Sequence, residues 1–163
     1  MSNKLQVETN GSQMIITREF DAPRQKVFDA HTDCKHLMKW WGTRTFPLTY
    51  CKMDFREGGQ WHYAMTGPEN MESWGLMEYK EIKAPELIVY VDHFSDKDGN
   101  KNTAFPATEV RTEFQEKGND KTVIRSVANY SSPEDLQKVI DMGMIGGVTE
   151  TMDMLEEYLA GKS

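Results

Sequence analysis

Four histidines, two cysteines and 26 acidic residues are the groups with which this 163-residue chain can do chemistry, and their spacing is sparse. His31, His36, His62 and His93 are dispersed, and no carboxylate pair, nucleophile turn or metal-ligand spacing accompanies any of them. Cys34-Lys35-His36 is too short for a zinc signature. Cys34 and Cys51 form no CxxC pair and fit a reducing compartment, where they stay thiols; a disulfide between them is the less favoured alternative. Ser131-Ser132-Pro133 reads as a helix cap rather than as a nucleophile. The residues therefore nominate no catalytic group, no metal site and no cofactor.

What the chain offers instead is apolar recognition. Arg56 to Met65 reads Arg-Glu-Gly-Gly-Gln-Trp-His-Tyr-Ala-Met. A Gly58-Gly59 turn opens a strictly alternating strand, with Trp61, Tyr63 and Met65 on one face and Gln60, His62 and Ala64 on the other. That face lines a ligand cavity or fills a solid core, since aromatics bury large areas in either case. Met53, Phe55 and Cys51 on the preceding strand share the same two readings, and Phe114, Val110 and Thr112 face inward as well. Tyr90 belongs to a run, Leu87 to Phe94, that is apolar in both phases. Eleven methionines suit a pocket that takes varied apolar ligands, or an ordinary soft core.

The elements that must position these residues follow from pattern and punctuation. Met14 to Phe20 is a β-branched first strand. Asp21-Ala22-Pro23 starts a short helix around Val27 and Phe28, and Thr32-Asp33 caps a second through Leu37, Met38, Trp40 and Trp41 to Gly42. These helices close the end of the sheet, with Trp41 at the cavity mouth. Strands are expected over Phe46–Phe55, Gln60–Met65, Ser73–Ile82, Leu87–Phe94, Thr108–Glu116 and Thr122–Asn129, with a polar loop from Ser95 to Phe105. Ser132-Pro133-Glu134-Asp135 begins one long C-terminal helix with an apolar stripe through Ile145, Val148, Met152, Leu155 and Leu159. Gly143, Gly146 and Gly147 interrupt it, and each costs about 1 kcal/mol against alanine, so a kink, a close approach or cleared space must explain them. Glu150, Asp153, Glu156 and Glu157 form its solvated face. One α+β domain over residues 1–163, with a core from about 14 to 160, accounts for the pattern.

Composition bounds the rest. A chain of this length buries roughly 70% of its unfolded surface. The net charge of -7 repels phosphate, which disfavours nucleic acid and anionic lipid surfaces. The polar N-terminus has no secretory core, and no run is long enough to span a bilayer, so a cytoplasmic location is expected.

A series of residues then carries a resemblance. Phe20-Asp21-Ala22-Pro23 leads into Val27-Phe28-Asp29-Ala30; Leu37 to Gly42 reads Leu-Met-Lys-Trp-Trp-Gly; Met53 to Gly59 reads Met-Asp-Phe-Arg-Glu-Gly-Gly ahead of Trp61. Gly75, Glu78 to Ile82, Pro85-Glu86-Leu87, and Met144 with Gly147 in the last helix complete it. From Met14 to Ala160 the chain resembles the activator of heat-shock-protein-90 ATPase homologue family of the SRPBCC, or START-like, superfamily, which also holds the birch-pollen allergen. The resemblance implies a helix-grip fold: a curved antiparallel sheet and two short helices gripping a long C-terminal helix, with a cavity between. It also implies ligands such as lipids, hormones and polyketides for the superfamily, and a chaperone as partner for the family. The eukaryotic co-chaperone has a further N-terminal domain that binds the chaperone, for which this chain leaves no room, so ATPase activation is not carried over.

Three functions stay open. The first is a carrier or sensor without catalysis that holds a small hydrophobic or aromatic molecule, or a lipid, against Trp41, Met53, Phe55, Trp61, Tyr63, Met65, Tyr90, Phe114, Met144 and Gly147, with Tyr63, Tyr90 or His93 fixing its orientation. The second is an interaction protein of a chaperone. The third is a cyclase- or hydrolase-type enzyme using Tyr63 or His93. Exposed strand edges allow a homodimer.

Overall fold

A computed structural model describes residues 4–105 and 107–161. The chain folds as β1 (Gln6–Asn10), β2 (Gln13–Phe20), α1 (Arg24–Asp29), α2 (Cys34–Trp40), β3 (Leu48–Met53), β4 (Gln60–Thr66), β5 (Glu72–Lys83), β6 (Leu87–Phe94), β7 (Thr108–Lys117), β8 (Lys121–Asn129), α3 (Pro133–Asp141) and α4 (Met144–Leu159). The eight strands form one antiparallel sheet in the order β1-β2-β8-β7-β6-β5-β4-β3. This is the α+β helix-grip architecture, with helices carried on one face of a curved sheet.

The strands alternate as the sequence does. Trp61 lies opposite Met53 and Tyr63 opposite Cys51 across β3 and β4. Phe20, Val27, Phe28, Leu37, Trp40 and Leu155 are fully buried and form the core where α1, α2 and the end of α4 meet the sheet. The helix starts obey capping rules: Asp33 accepts from the His36 amide at 2.9 Å, and Ser132 from the Asp135 amide at 3.1 Å.

Four expectations need correction. The N-terminus contributes an additional edge strand, β1, whose polar residues pair with β2 alone. The C-terminal helix is two helices, broken at Met142 and Gly143; Gly143 adopts φ +88°, a left-handed conformation that glycine takes without steric cost. Cys34 and Cys51 are joined in a disulfide, with Cα atoms 5.7 Å apart, because the N-terminus of α2 lies against β3. Asp153 and Glu156 are not simply a solvated face. They hold the buried guanidinium of Arg18 on β2 at 2.7 and 2.9 Å and so tie α4 to the inner face of that strand.

Candidate functional site

Between the sheet and α3–α4 lies a cavity of about 420 Å³. Gly147 lines it, and a Cβ built on Gly147 meets nothing within 4 Å. Of the two glycines of α4, Gly147 therefore clears space beneath the helix.

The expected site residues divide into two groups. Trp41, Trp61, Tyr63 and Met65 form one wall, and Tyr90, Met144 and Gly147 border the cavity from the sheet centre and from α4. Met53, Phe55 and Phe114 are not on the wall. Phe55 packs edge-on against Phe28 and Tyr79, at 6.1 and 5.0 Å between ring centroids, and Phe28 against Phe114 at 5.1 Å, so these rings fill the core under α1. Met53 packs against the same core. The two adjacent tryptophans divide the work. Trp40 is fully buried, its indole N–H donating to the Ala30 carbonyl at 2.9 Å, while Trp41 turns to the cavity and meets Trp61 at 4.9 Å. Trp61 also donates to Cys51 Sγ at 3.1 Å, which couples the disulfide to the cavity wall.

The histidines take different positions. His93 borders the cavity, with Nε2 2.8 Å from Glu78 across β5 and β6. His62 packs on the outer face against Trp74 at 5.0 Å and reaches the Asp96 carbonyl at 2.9 Å. His36 bonds the Tyr158 hydroxyl at 2.7 Å. His31 lines the cavity floor between Trp40 and Phe114; Nδ1 donates to the Val27 carbonyl at 2.9 Å, and burial pulls the imidazole down to about 4.

The residue that pattern reasoning missed is Asp92. It stands in phase with Ile88 and Tyr90 on β6 and so faces inward, and it is the only carboxylate among the described lining residues. The signal was present: an acid at an inward position of a strand otherwise apolar in both phases. The Tyr63 hydroxyl donates to Asp92 Oδ1 at 3.0 Å. Burial pushes the Asp92 carboxyl up to about 7, against the opposing pull of that hydrogen bond. Burial, reinforced by the nearby carboxylate, raises the hydroxyls of Tyr63, Tyr79 and Tyr90 well above the usual phenol range. The site is thus an aromatic chamber with one polar focus. Among the described residues, no group of three or more His, Cys, Asp and Glu gathers as a metal site, and no helix is long and apolar enough to cross a membrane.

Known proteins share this arrangement of chain. The chain is similar over 97% of its length to a crystal structure from Mycobacterium smegmatis, with 31% identity, 97% of that chain covered and a TM-score of 0.87. A solution structure from Staphylococcus epidermidis is 34% identical, covering 97% of this chain and 95% of the other with a TM-score of 0.82. One from Arthrobacter aurescens is 27% identical, covering 96% and 91%, with a TM-score of 0.88. No functionally curated protein matches the sequence. The family model described as activator of Hsp90 ATPase homolog 1-like protein matches residues 21–160. With nearly the whole chain matched and the helix-grip fold in place, the protein belongs to the activator of Hsp90 ATPase homolog 1-like family of the SRPBCC superfamily.

Proposed function

We propose that this protein binds a small, largely apolar or aromatic molecule in the cavity between the sheet and α4, and acts as a carrier or sensor rather than as a catalyst. One observation carries the reading. The side chains that could fill the space do not: Trp41, Trp61 and Tyr63 pack on one another at the wall, and the space beneath Gly147 stays open. Removing apolar ligand surface from water yields about 25 cal/mol per Å², so an aromatic chamber of this size supports useful affinity without covalent chemistry.

Native mass spectrometry of protein freshly purified from its own source, set against the denatured mass, tests the proposal. A small molecule retained in the native and lost in the denatured spectrum supports it and identifies the ligand class. A clean apo mass together with failure to bind apolar fluorescent probes overturns it. It would shift weight to a surface role on a chaperone, for which the family description is the support.

A further inference from the structure

We infer that Asp92 and Tyr63 form a recognition point for a positively charged amine, so that the ligand is an amphipathic amine with its apolar body in the chamber and its nitrogen at Asp92. The inference rests on the cavity reading above and adds the ligand's polar chemistry to it.

The geometry points to a cation in three ways. First, Asp92 has one oxygen committed to the Tyr63 hydroxyl at 3.0 Å, and the carboxyl borders the cavity, where a ligand can reach it. Second, among the described residues no cation forms an ion pair with Asp92. The groups facing Asp92 are hydroxyls: Tyr63 from β4, Tyr79 from β5, Tyr90 from β6 itself and Tyr130 just beyond β8. Thr108 is its cross-strand neighbour on β7. His93, the next residue, is engaged with Glu78 and Lys101 lies on that same carboxylate. The cavity's one other strong charge, Arg18, is held by Asp153 and Glu156. Arg18 pairs with Ile124, and Ile124 with Phe114, which lies six residues along β7 from Thr108. That step along the strand, about 20 Å between backbone positions 108 and 114, sets Arg18 towards the other end of the sheet from Asp92, where its guanidinium is already paired with two carboxylates. Third, the rings of Trp61 and Tyr63, with centroids 4.4 Å apart and beside Trp41, line the same cavity, and aromatic lining favours a cation over an anion there.

A neutral hydroxyl ligand would give Asp92 a hydrogen bond but leave its charge buried. An ammonium supplies both the hydrogen bond and the compensating charge. Amine binding therefore holds Asp92 ionised in a chamber that otherwise favours its protonated form.

Two probes of matched shape test the inference: 2-(1-naphthyl)ethylamine and 2-(1-naphthyl)ethanol, titrated by calorimetry into the wild type and Asp92→Asn at pH 8.5. The expected result is that the amine binds the wild type at least tenfold tighter than the alcohol. Asp92→Asn should remove that preference and leave the alcohol's affinity within twofold. Equal affinity of both probes for the wild type, or an amine preference that survives in Asp92→Asn, overturns the amine inference while the cavity reading stands. Binding of neither probe overturns both. A carboxyl-carbon NMR titration of wild-type protein covers the case of a misfolded variant. The Asp92 midpoint should fall by a unit or more with the amine and not with the alcohol, and an unmoved midpoint with the amine bound overturns the inference.

Discussion

Tyr63 on β4 and Asp92 on β6 are joined by a 3.0 Å hydrogen bond that passes over the intervening strand β5 at Gly75. The relationship depends on an absent side chain. A Cβ at Gly75 would fall on the Tyr63 ring and hydroxyl. β5 thus carries glycine where the tyrosine must lie flat across it to reach the carboxyl. Such close approach is a recognised reason for glycine inside a strand.

Gly75→Ala should therefore displace the Tyr63 ring and break its bond to Asp92. The loss combines an overpacking cost of about 1–3 kcal/mol with removal of a hydrogen bond to a buried carboxyl. Thermal melts of Gly75→Ala and Tyr63→Phe, alone and combined, check this. Because ring carbons as well as the hydroxyl stand in the way, Gly75→Ala should still destabilise the Tyr63→Phe background, but by less than it destabilises the wild type, since no hydrogen bond to Asp92 is left to lose. A Gly75→Ala variant as stable as wild type would show that the ring has another place to go.

Asp92 and His31, both buried at the cavity, give stability in the acid range a pH dependence of opposing parts. Asp92 rises from 3.8 to about 7 on folding, so between those values the folded state holds a proton that the unfolded state has lost, and stability falls as pH rises. His31 drops from 6.5 to about 4, so between those values the unfolded state holds the extra proton, and stability rises with pH. The contributions offset one another over most of the acid range. Urea unfolding of Asp92→Asn should show its stability gain over the wild type growing by roughly 1 kcal/mol per pH unit from pH 4 to 7. A pH-independent difference would mean that Asp92 titrates as an ordinary carboxyl.

The disulfide makes a prediction of a different kind. Cys34 and Cys51 are 17 residues apart, and closing a loop of that length is worth about 3 kcal/mol in the chain-entropy account. Reduction should lower the melting temperature by roughly 6–12 °C for a chain of this size. It should also change tryptophan emission, because the Trp61 indole N–H lies against Cys51 Sγ at 3.1 Å. Cys34→Ser/Cys51→Ser should reproduce both effects and be insensitive to reductant. A wild type whose melting temperature and emission ignore reductant would indicate free thiols in solution.

Much of this architecture was legible where local pattern and tertiary role coincide. The alternation of Trp61, Tyr63 and Met65, the bounds of Leu87–Phe94, and the Asp33 and Ser132 caps are written in neighbouring residues. The elements that escaped depend on partners distant in the chain. β1 is polar because it is an edge and owes its existence to β2. The disulfide joins a helix to a strand with no spacing signature. Asp153 and Glu156 read as solvent-facing until Arg18 is placed beneath them. Met53, Phe55 and Phe114 share a face with true wall residues, and only the packing of Phe28 separates core from cavity. Asp92 was hidden by the same ambiguity, since a strand apolar in both phases does not declare its inner face.

Gly147 offers the sharpest test of whether the cavity is the working part. It lines the cavity, and a Cβ added there meets nothing within 4 Å, so Gly147→Leu starts its added bulk in open space. Neighbouring Gly146 is exposed, lies outside the lining and also has open space at its Cβ. Both substitutions remove a helix glycine and should gain about 1 kcal/mol in helix propensity. Their melting temperatures should therefore match or exceed the wild type. Their binding should diverge: Gly147→Leu should lose at least tenfold in affinity for a naphthyl probe, whereas Gly146→Leu should bind like the wild type. Equal binding by a folded Gly147→Leu protein would place the ligand elsewhere, and equal loss in both would point to a change in α4 itself rather than to filling of the chamber.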